Sequence, residues 1–326
     1  MKIIDFHNHY YPPEYIEALR SSDSSVSVTV DAQGNPVLHS PGDSNIAVPG
    51  HRDIQFRQSV LDDAGISMQV LTFTSPGVQV HPPDLSVAYA RSINDALAAI
   101  VQERGSRFTA LATLPLNDPA ASVAELKRAM GELGLRGAML FGNVNGAALS
   151  EKQFWPLYEN AEELGAVFYI HPTYPVGVEA MTNYWLMPLV GFTFDTTLAA
   201  AGLVFAGVVE RFPGITWVLG HLGGAIPYLA ERLDRGYRAF EECRANISRP
   251  PSEYLKSFYY DTVNFDVQAL GFALEFAGAD HLLAGSDYPH QIGSLQLMVE
   301  SISKLDVSEE ERAKIFGGNA ARLLGV

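Results

Sequence analysis

Apolar and polar positions along this chain follow two alternating rhythms, and the switches between them mark out its elements. Short apolar runs bounded by glycine, proline or polar turns read as buried strands: Ile3 to Phe6, Met68 to Phe73, Phe108 to Ala112, Gly137 to Phe141, Val167 to Ile170, Thr216 to Leu219, Phe258 to Tyr260 and His281 to Ala284. Between them lie longer stretches with helical spacing, among them Leu85 to Arg104, Pro119 to Leu133, Glu151 to Leu164, Thr196 to Arg211, Ala225 to Cys243 and Val267 to Ala277. Gly134, Gly165 and Gly278 stand where three of these helices should stop. Eight strands alternating with helices predict an α/β protein, a parallel sheet closed into a (β/α)8 TIM barrel. A doubly wound open sheet is the rival, but no Gly-x-Gly-x-x-Gly follows the first strand and no phosphate loop occurs anywhere.

Three segments break the alternation. Pro12 and Pro13 open a short helix after the first strand, and residues 23–50 then read as an insertion. There Ser25 to Val30 alternates, Gln33-Gly34-Asn35 supplies a turn and Val37-Leu38 returns, which predicts a small β-hairpin able to cover a pocket mouth. Glu309 to Leu324 predicts a C-terminal helix closing one side of the barrel.

Composition narrows the options. A chain of 326 residues fits one barrel of about 250 residues carrying insertions, so residues 1–326 are expected to be a single domain. Its net charge of -15, with 22 Lys and Arg residues that never form a block, argues against nucleic acid as a partner. An anionic substrate stays compatible, because a metal ion can dominate the field inside a cleft. Cys243 is alone and flanked by Glu241 and Glu242, which rules out an intrachain disulfide and disfavours a thiolate. After Lys2 the apolar run is broken by Asp5 and His7, too short for the apolar core of a signal peptide, and Leu198 to Val209 is too short to cross a bilayer. A cytoplasmic protein with no membrane partner is expected.

Candidate chemistry collects at the ends of the strands. In Asp5-Phe6-His7-Asn8-His9 a strand would project His7 and His9 to one face. His171 ends the fifth strand, His221 follows the sixth within Gly220-His-Leu-Gly-Gly224, and Asp287 follows the eighth. In a closed barrel these ends meet at the face where barrel enzymes keep their active sites. Three imidazoles and a carboxylate suit a divalent transition metal, with His221 left over as a neutral acid or base beside it. His39, His51, His81 and His281 read as solvated or structural, whereas His290 lies close enough to Asp287 to touch a substrate.

These motifs, with Ile170-His-Pro172, Arg249-Pro-Pro-Ser-Glu-Tyr254, Gly285-Ser-Asp-Tyr-Pro289 and Gly317-Gly-Asn-Ala-Ala-Arg322, resemble the amidohydrolase superfamily. The branch most similar contains the aminocarboxymuconate semialdehyde, resorcylate and carboxyvanillate decarboxylases. The resemblance implies one metal, zinc with manganese as the alternative, held by His7, His9, His171 and Asp287, with His221 and Asp287 catalytic. Many members of the superfamily bridge two metals with a carbamylated lysine after the fourth strand. Leu135 to Asn143 contains no lysine, so a mononuclear site is expected. The implied activity is non-oxidative decarboxylation of a small aromatic or muconate-like carboxylic acid, and the implied assembly is a homodimer. Arg52 or Arg57 would meet the substrate carboxylate, Arg235 and Arg238 would approach the site across the dimer, and Trp185 would line the pocket. The same ligands would also serve a hydrolase of amides, lactones or carbon–carbon bonds using metal-bound hydroxide, and a non-catalytic metal-stabilised scaffold is a third reading.

Overall fold

The computed structural model describes residues 2–21, 26–40 and 43–326. Its ring of strands comprises β1 (Ile4–Asp5), β2 (Met68–Leu71), β3 (Phe108–Ala110, resuming as Ala112–Thr113), β4 (Gly137–Phe141), β5 (Val167–His171), β6 (Thr216–Leu219), β7 (Tyr259–Asp261) and β8 (Leu282–Leu283). Successive strands pair in parallel from β1 through β8. Closure occurs where the Phe6 N–H donates to the Ala284 carbonyl at 2.7 Å and the Ser286 and Asp287 N–H groups donate to the His7 carbonyl at 3.1 and 2.8 Å. All eight expected strands are present, and the architecture is a (β/α)8 barrel.

The period of two sorts each strand between two cores. Val167 and Tyr169 of β5 point inward to meet Ile4, Phe6, Met139 and Val218, while Phe168 and Ile170 point out to the helices. Ala320 and Leu324 plug the interior core from below. They belong to the C-terminal segment, which runs as Glu309–Ala313, a wide turn over Lys314–Gly318, and Asn319–Leu324. Gly317 in that turn lies so close to β1 that a Cβ there would come within 2.5 Å of the Lys2 carbonyl oxygen.

Two expectations need correcting. The helix expected over Thr196 to Arg211 begins earlier and is cut: Met187–Gly191 form a wide turn, Phe192–Phe205 an α-helix, and Val208–Arg211 a separate turn after Gly207. Gly207 has φ +79°, and a Cβ on it would lie 2.6 Å from the Asn246 carbonyl oxygen, so the chain turns there. The run Met187–Phe205 is, by length and composition, long and apolar enough to cross a membrane. Here it packs as the barrel helix between β5 and β6, with Ala199, Ala200, Leu203 and Val204 buried.

The insertion carries three antiparallel strands rather than a two-stranded hairpin: Ser27–Val30, Pro36–Ser40 and Asp43–Ile46. Asp43-Ser-Asn-Ile46 lacks an alternating apolar pattern, which is why the third strand escaped the periodicity argument. Residues 23–25, 41 and 42 of the expected insertion lie outside the described residues. Asn45 Nδ2 donates to the Tyr11 hydroxyl at 2.7 Å, tying this small sheet to the barrel rim.

Candidate metal centre

His7 lies with His9 and Asp287 in one group of possible metal ligands and with His171 and His221 in an overlapping one. His7 Nε2 lies 3.1 Å from His9 Nε2 and 3.3 Å from Asp287 Oδ1, and His9 Nε2 lies 3.1 Å from that same oxygen. The His171 ring centroid is 5.2 Å from that of His7 and 4.7 Å from that of His9. His221 stands 4.8 Å from His7 and 5.3 Å from His171, centroid to centroid. The route to this geometry differs from the strand argument. β1 ends at Asp5, and the chain continues through single bridges, Asn8 to Tyr288 and His9 to Thr72, rather than as a regular strand. Asn8 turns back into the protein, where its Nδ2 donates to the Asp5 and Val70 carbonyls at 3.1 and 3.0 Å.

Each inward-facing imidazole is held from behind through Nδ1. His7 Nδ1 lies 2.5 Å from Asp261 Oδ2, and His171 Nδ1 donates to the Pro172 carbonyl at 2.8 Å. His9 Nδ1 lies 3.5 Å from Thr72 Oγ1, whose own proton goes to the Asn8 carbonyl at 2.5 Å. These contacts hold each ring through Nδ1 and turn Nε2 of His7 and His9 toward Asp287, the orientation a metal ligand needs once the Nε2 protons are displaced. His171 Nε2 is buried and without a partner among the described residues. Burial holds His9 and His171 well below the usual histidine range, so both are neutral donors. At His7 burial opposes a charge, yet the Asp261 and Asp287 carboxylates outweigh it and hold the pKa up to about 10. Burial likewise pushes on Asp287, but hydrogen bonds from His7 and His9 keep it ionised, well below the usual carboxylate range. Two buried carboxylates, Asp261 and Asp287, draw positive charge to this point, carried by His7 in the absence of an ion and supplied by a divalent cation when one binds.

Asp261, at the end of β7, was missed in the sequence. Besides His7 it accepts the Tyr169 hydroxyl at 3.2 Å and the N–H groups of His221 and Leu222, both at 3.1 Å. One carboxylate thereby sets the His7 tautomer and anchors the turn that carries His221. The signal was available, a carboxylate at a strand's C-terminal end, as at Asp287. His221, Leu222 and Asp287 have φ of 51°, 56° and 57°, left-handed backbone that non-glycine residues rarely adopt. The His221 pKa is brought down to about 4, first by burial and then by charge on His7, so this imidazole is neutral at pH 7.

A cavity of about 320 Å³ opens directly onto the cluster, with His171, His221 and Asp287 in its wall. Trp185, Pro188, Leu189, Phe192 and Ile292 give it an apolar side, and Ser44, Asn45 and Ile46 of the inserted sheet contribute to the lining. His290 also lines it, its ring 4.6 Å from that of His9, as does His51, which the sequence reading had set aside as structural. Trp185 and His290 line the cavity, and Arg52 and Arg57 do not. Arg57 is fully buried, donating to Asn8 Oδ1 and Gln69 Oε1 at 2.8 Å each, to the Gly50 carbonyl at 2.9 Å and to the His9 carbonyl. It braces the His7 to His9 turn rather than meeting a substrate. Arg52 donates to the Ala47 carbonyl at 3.1 Å, and Arg235 and Arg238 pair with Glu231 on an exposed helix face at 3.2 and 2.7 Å. Among the described residues no lysine or arginine lines the cavity.

The fold and the rim together define a (β/α)8 barrel with a candidate mononuclear metal centre at its catalytic face. At the end of β4, where a bridging lysine would stand, the chain reads Phe141-Gly142-Asn143, and Asn143 Nδ2 is bonded to Asp195 and to the Tyr174 carbonyl. The chain belongs to the amidohydrolase family, whose pattern matches residues 4–326. It is 34% identical to 2-amino-3-carboxymuconate-6-semialdehyde decarboxylase of Dictyostelium discoideum, covering 87% of this chain and 78% of that one. The structure of 5-carboxyvanillate decarboxylase from Sphingomonas paucimobilis superposes with a TM-score of 0.88 at 26% identity, over 100% of this chain and 99% of that one. That of dihydroxybenzoic acid decarboxylase from Polaromonas sp. JS666, with bound manganese and the inhibitor 2-nitroresorcinol, does so with a TM-score of 0.83 at 26% identity, over 99% and 97%.

Proposed function

We propose that the protein is a metal-dependent, non-oxidative decarboxylase of a small aromatic or unsaturated carboxylic acid, holding one divalent ion on His7, His9, His171 and Asp287. The observation that carries this reading is the gathering of three imidazoles, each anchored through Nδ1, and one carboxylate where a cavity opens onto them. Similarity over most of the chain to decarboxylases supports the reaction class. The imidazole-rich donor set suits zinc, and manganese, named with a relative, is the alternative.

When bound, such an ion would draw electron density from the substrate as the carbon to carboxylate bond breaks. The chain's own residues supply the rest. Apolar side chains on the 185–192 segment exclude water from the bound acid and hold its unsaturated face. As carbon dioxide leaves, the electron pair of the broken bond stays on carbon, and a proton takes the vacated position. His221 and Asp287 are the groups in the cavity wall placed to pass that proton.

Incubating metal-loaded protein with a panel of aromatic and muconate-like acids should release carbon dioxide, and metal-stripped protein should release none. His221→Asn should keep its metal and lose about a hundredfold or more in kcat. Carbon dioxide release without metal, or ring-opened and hydrolysed products in its place, would overturn the proposal. A homodimer in the cytoplasm belongs to the same reading. The dimer is supported by an exposed apolar face, Tyr184, Trp185, Leu189, Phe194 and Leu198, that runs on from the cavity lining.

A further inference from the structure

Behind the proposed ligands, on the side of the barrel wall that faces the helix Ile54–Asp63, runs a chain of polar side chains that the proposed chemistry does not use. Ile4, Phe6, Met68 and Val70 belong to the interior core, so the period of two turns Asp5 of β1 and Gln69 of β2, opposite each other in the parallel pair, outward to that helix. Asp5, Asn8, Arg57, Gln69 and Ser286 are all fully buried. Gln69 Oε1 accepts from Arg57 Nη1 at 2.8 Å, and Gln69 Nε2 donates to Asp5 Oδ2 at 2.7 Å. At the Arg57 end the guanidinium also donates to Asn8 Oδ1 at 2.8 Å and to the His9 carbonyl, so it holds the residue between two proposed ligands and the backbone of one of them. At the Asp5 end the carboxylate accepts the Ser286 N–H at 3.0 Å and the Ser286 hydroxyl at 2.6 Å, immediately before Asp287 and its left-handed backbone.

We propose that Gln69 is a positioning residue for the metal centre: its amide joins the two ends of this chain and so fixes the spacing between His7 and His9 on one side and Asp287 on the other. The inference rests on the metal-centre reading above. An amide is the group this place requires. Arg57 only donates and the Asp5 carboxylate only accepts, so the bridge between them must accept at one end and donate at the other. A carboxylate at position 69 would face Asp5 with like charge and no proton to give. An apolar side chain would leave a buried guanidinium and a buried carboxylate each short of a partner. Asn8 and Ser286 adjoin His7, His9 and Asp287 in the chain, so a shift at either end moves a ligand off the 3.1 and 3.3 Å separations that bring the two imidazoles to Asp287 Oδ1. Gln69 itself touches neither ion nor substrate, and its effect is read in how tightly the ion is held.

Competition for zinc between metal-stripped protein and a chromogenic chelator tests this without turnover, and the visible spectrum of cobalt-loaded protein gives a second reading of the ligand geometry. Gln69→Met should bind zinc about 10- to 100-fold more weakly than wild type and change the cobalt spectrum. Gln69→Glu should do the same, so the test does not depend on one variant folding. Adding Asp5→Asn to Gln69→Glu exchanges amide and carboxylate, sets a donor against an acceptor again and should recover most of the affinity. The control is Asn94→Leu, which removes another buried amide, one that donates to the Thr113 carbonyl and to Glu125. It should leave zinc affinity unchanged even where it lowers the melting temperature as much. Unchanged affinity in a folded Gln69 variant overturns the proposal, and so does an equal loss in Asn94→Leu. If the wild type itself takes up no ion, the metal-centre reading fails and this inference with it, whereas a wild type that binds one ion and Gln69 variants that match it sink this inference alone.

Discussion

His7 illustrates how little of this site is decided by the ligands alone. A histidine has two nitrogens and a free choice of tautomer, and Asp261 removes that choice by accepting the Nδ1 proton at 2.5 Å. Asp261→Asn keeps the shape and makes the bond ambiguous, since an amide can present either oxygen or NH2 to the ring. Metal affinity should fall about 10- to 100-fold, read by competition with a chromogenic chelator, while thermal stability in the metal-free state changes far less. Unchanged affinity would remove Asp261 from the account. Side chains were also where sequence reasoning was weakest. His7, His9, His171 and Asp287 were legible because strand ends of a barrel converge by construction. Arg57 was not, because a guanidinium saturated by carbonyls and amides has the same one-letter code as one waiting for a carboxylate, and only burial tells them apart.

The helix Phe192–Phe205 depends on a single buried acid for its seat over β4 and β5. Asp195 accepts the Thr173 N–H at 2.9 Å and Asn143 Nδ2 at 2.8 Å, and it packs so tightly that a Cβ at Gly142 would lie 2.3 Å from its Oδ2. Burial raises its pKa from the ordinary 3.8 to about 6, more than these donors lower it. The native state therefore binds this proton up to about pH 6, whereas the unfolded chain releases it near 3.8. Between those values the native state holds more protons, so this group's contribution to stability falls as pH rises through the window and is level above it. Denaturation curves should show Asp195→Asn gaining stability relative to wild type from pH 4 to 6, with a constant difference beyond. A difference independent of pH would mean that Asp195 titrates normally. Elements themselves were mostly readable from periodicity, since all eight strands fell within two or three residues of their expected limits. What periodicity missed were interruptions such as Gly207, whose left-handed backbone leaves no room for a side chain beside Asn246, distant in sequence.

At the scale of the whole molecule, the described residues include an exposed apolar face that borders the cavity through Trp185 and Leu189. A partner copy seated there would bury Leu198, which is 64% exposed, and would help to close the site. Sedimentation equilibrium should give a dimer for the wild type and a monomer for Leu198→Lys, and a monomeric wild type would end the proposal. Everything else in the account turns on a single ion between β1, β5 and β8. Its most direct test is to titrate metal-stripped protein with zinc or manganese, recording bound metal and carbon dioxide release together. The account predicts that both rise in proportion and break at one ion per chain, with His7→Ala and Asp287→Ala abolishing both. A break at two ions, or activity that ignores the metal, would contradict it.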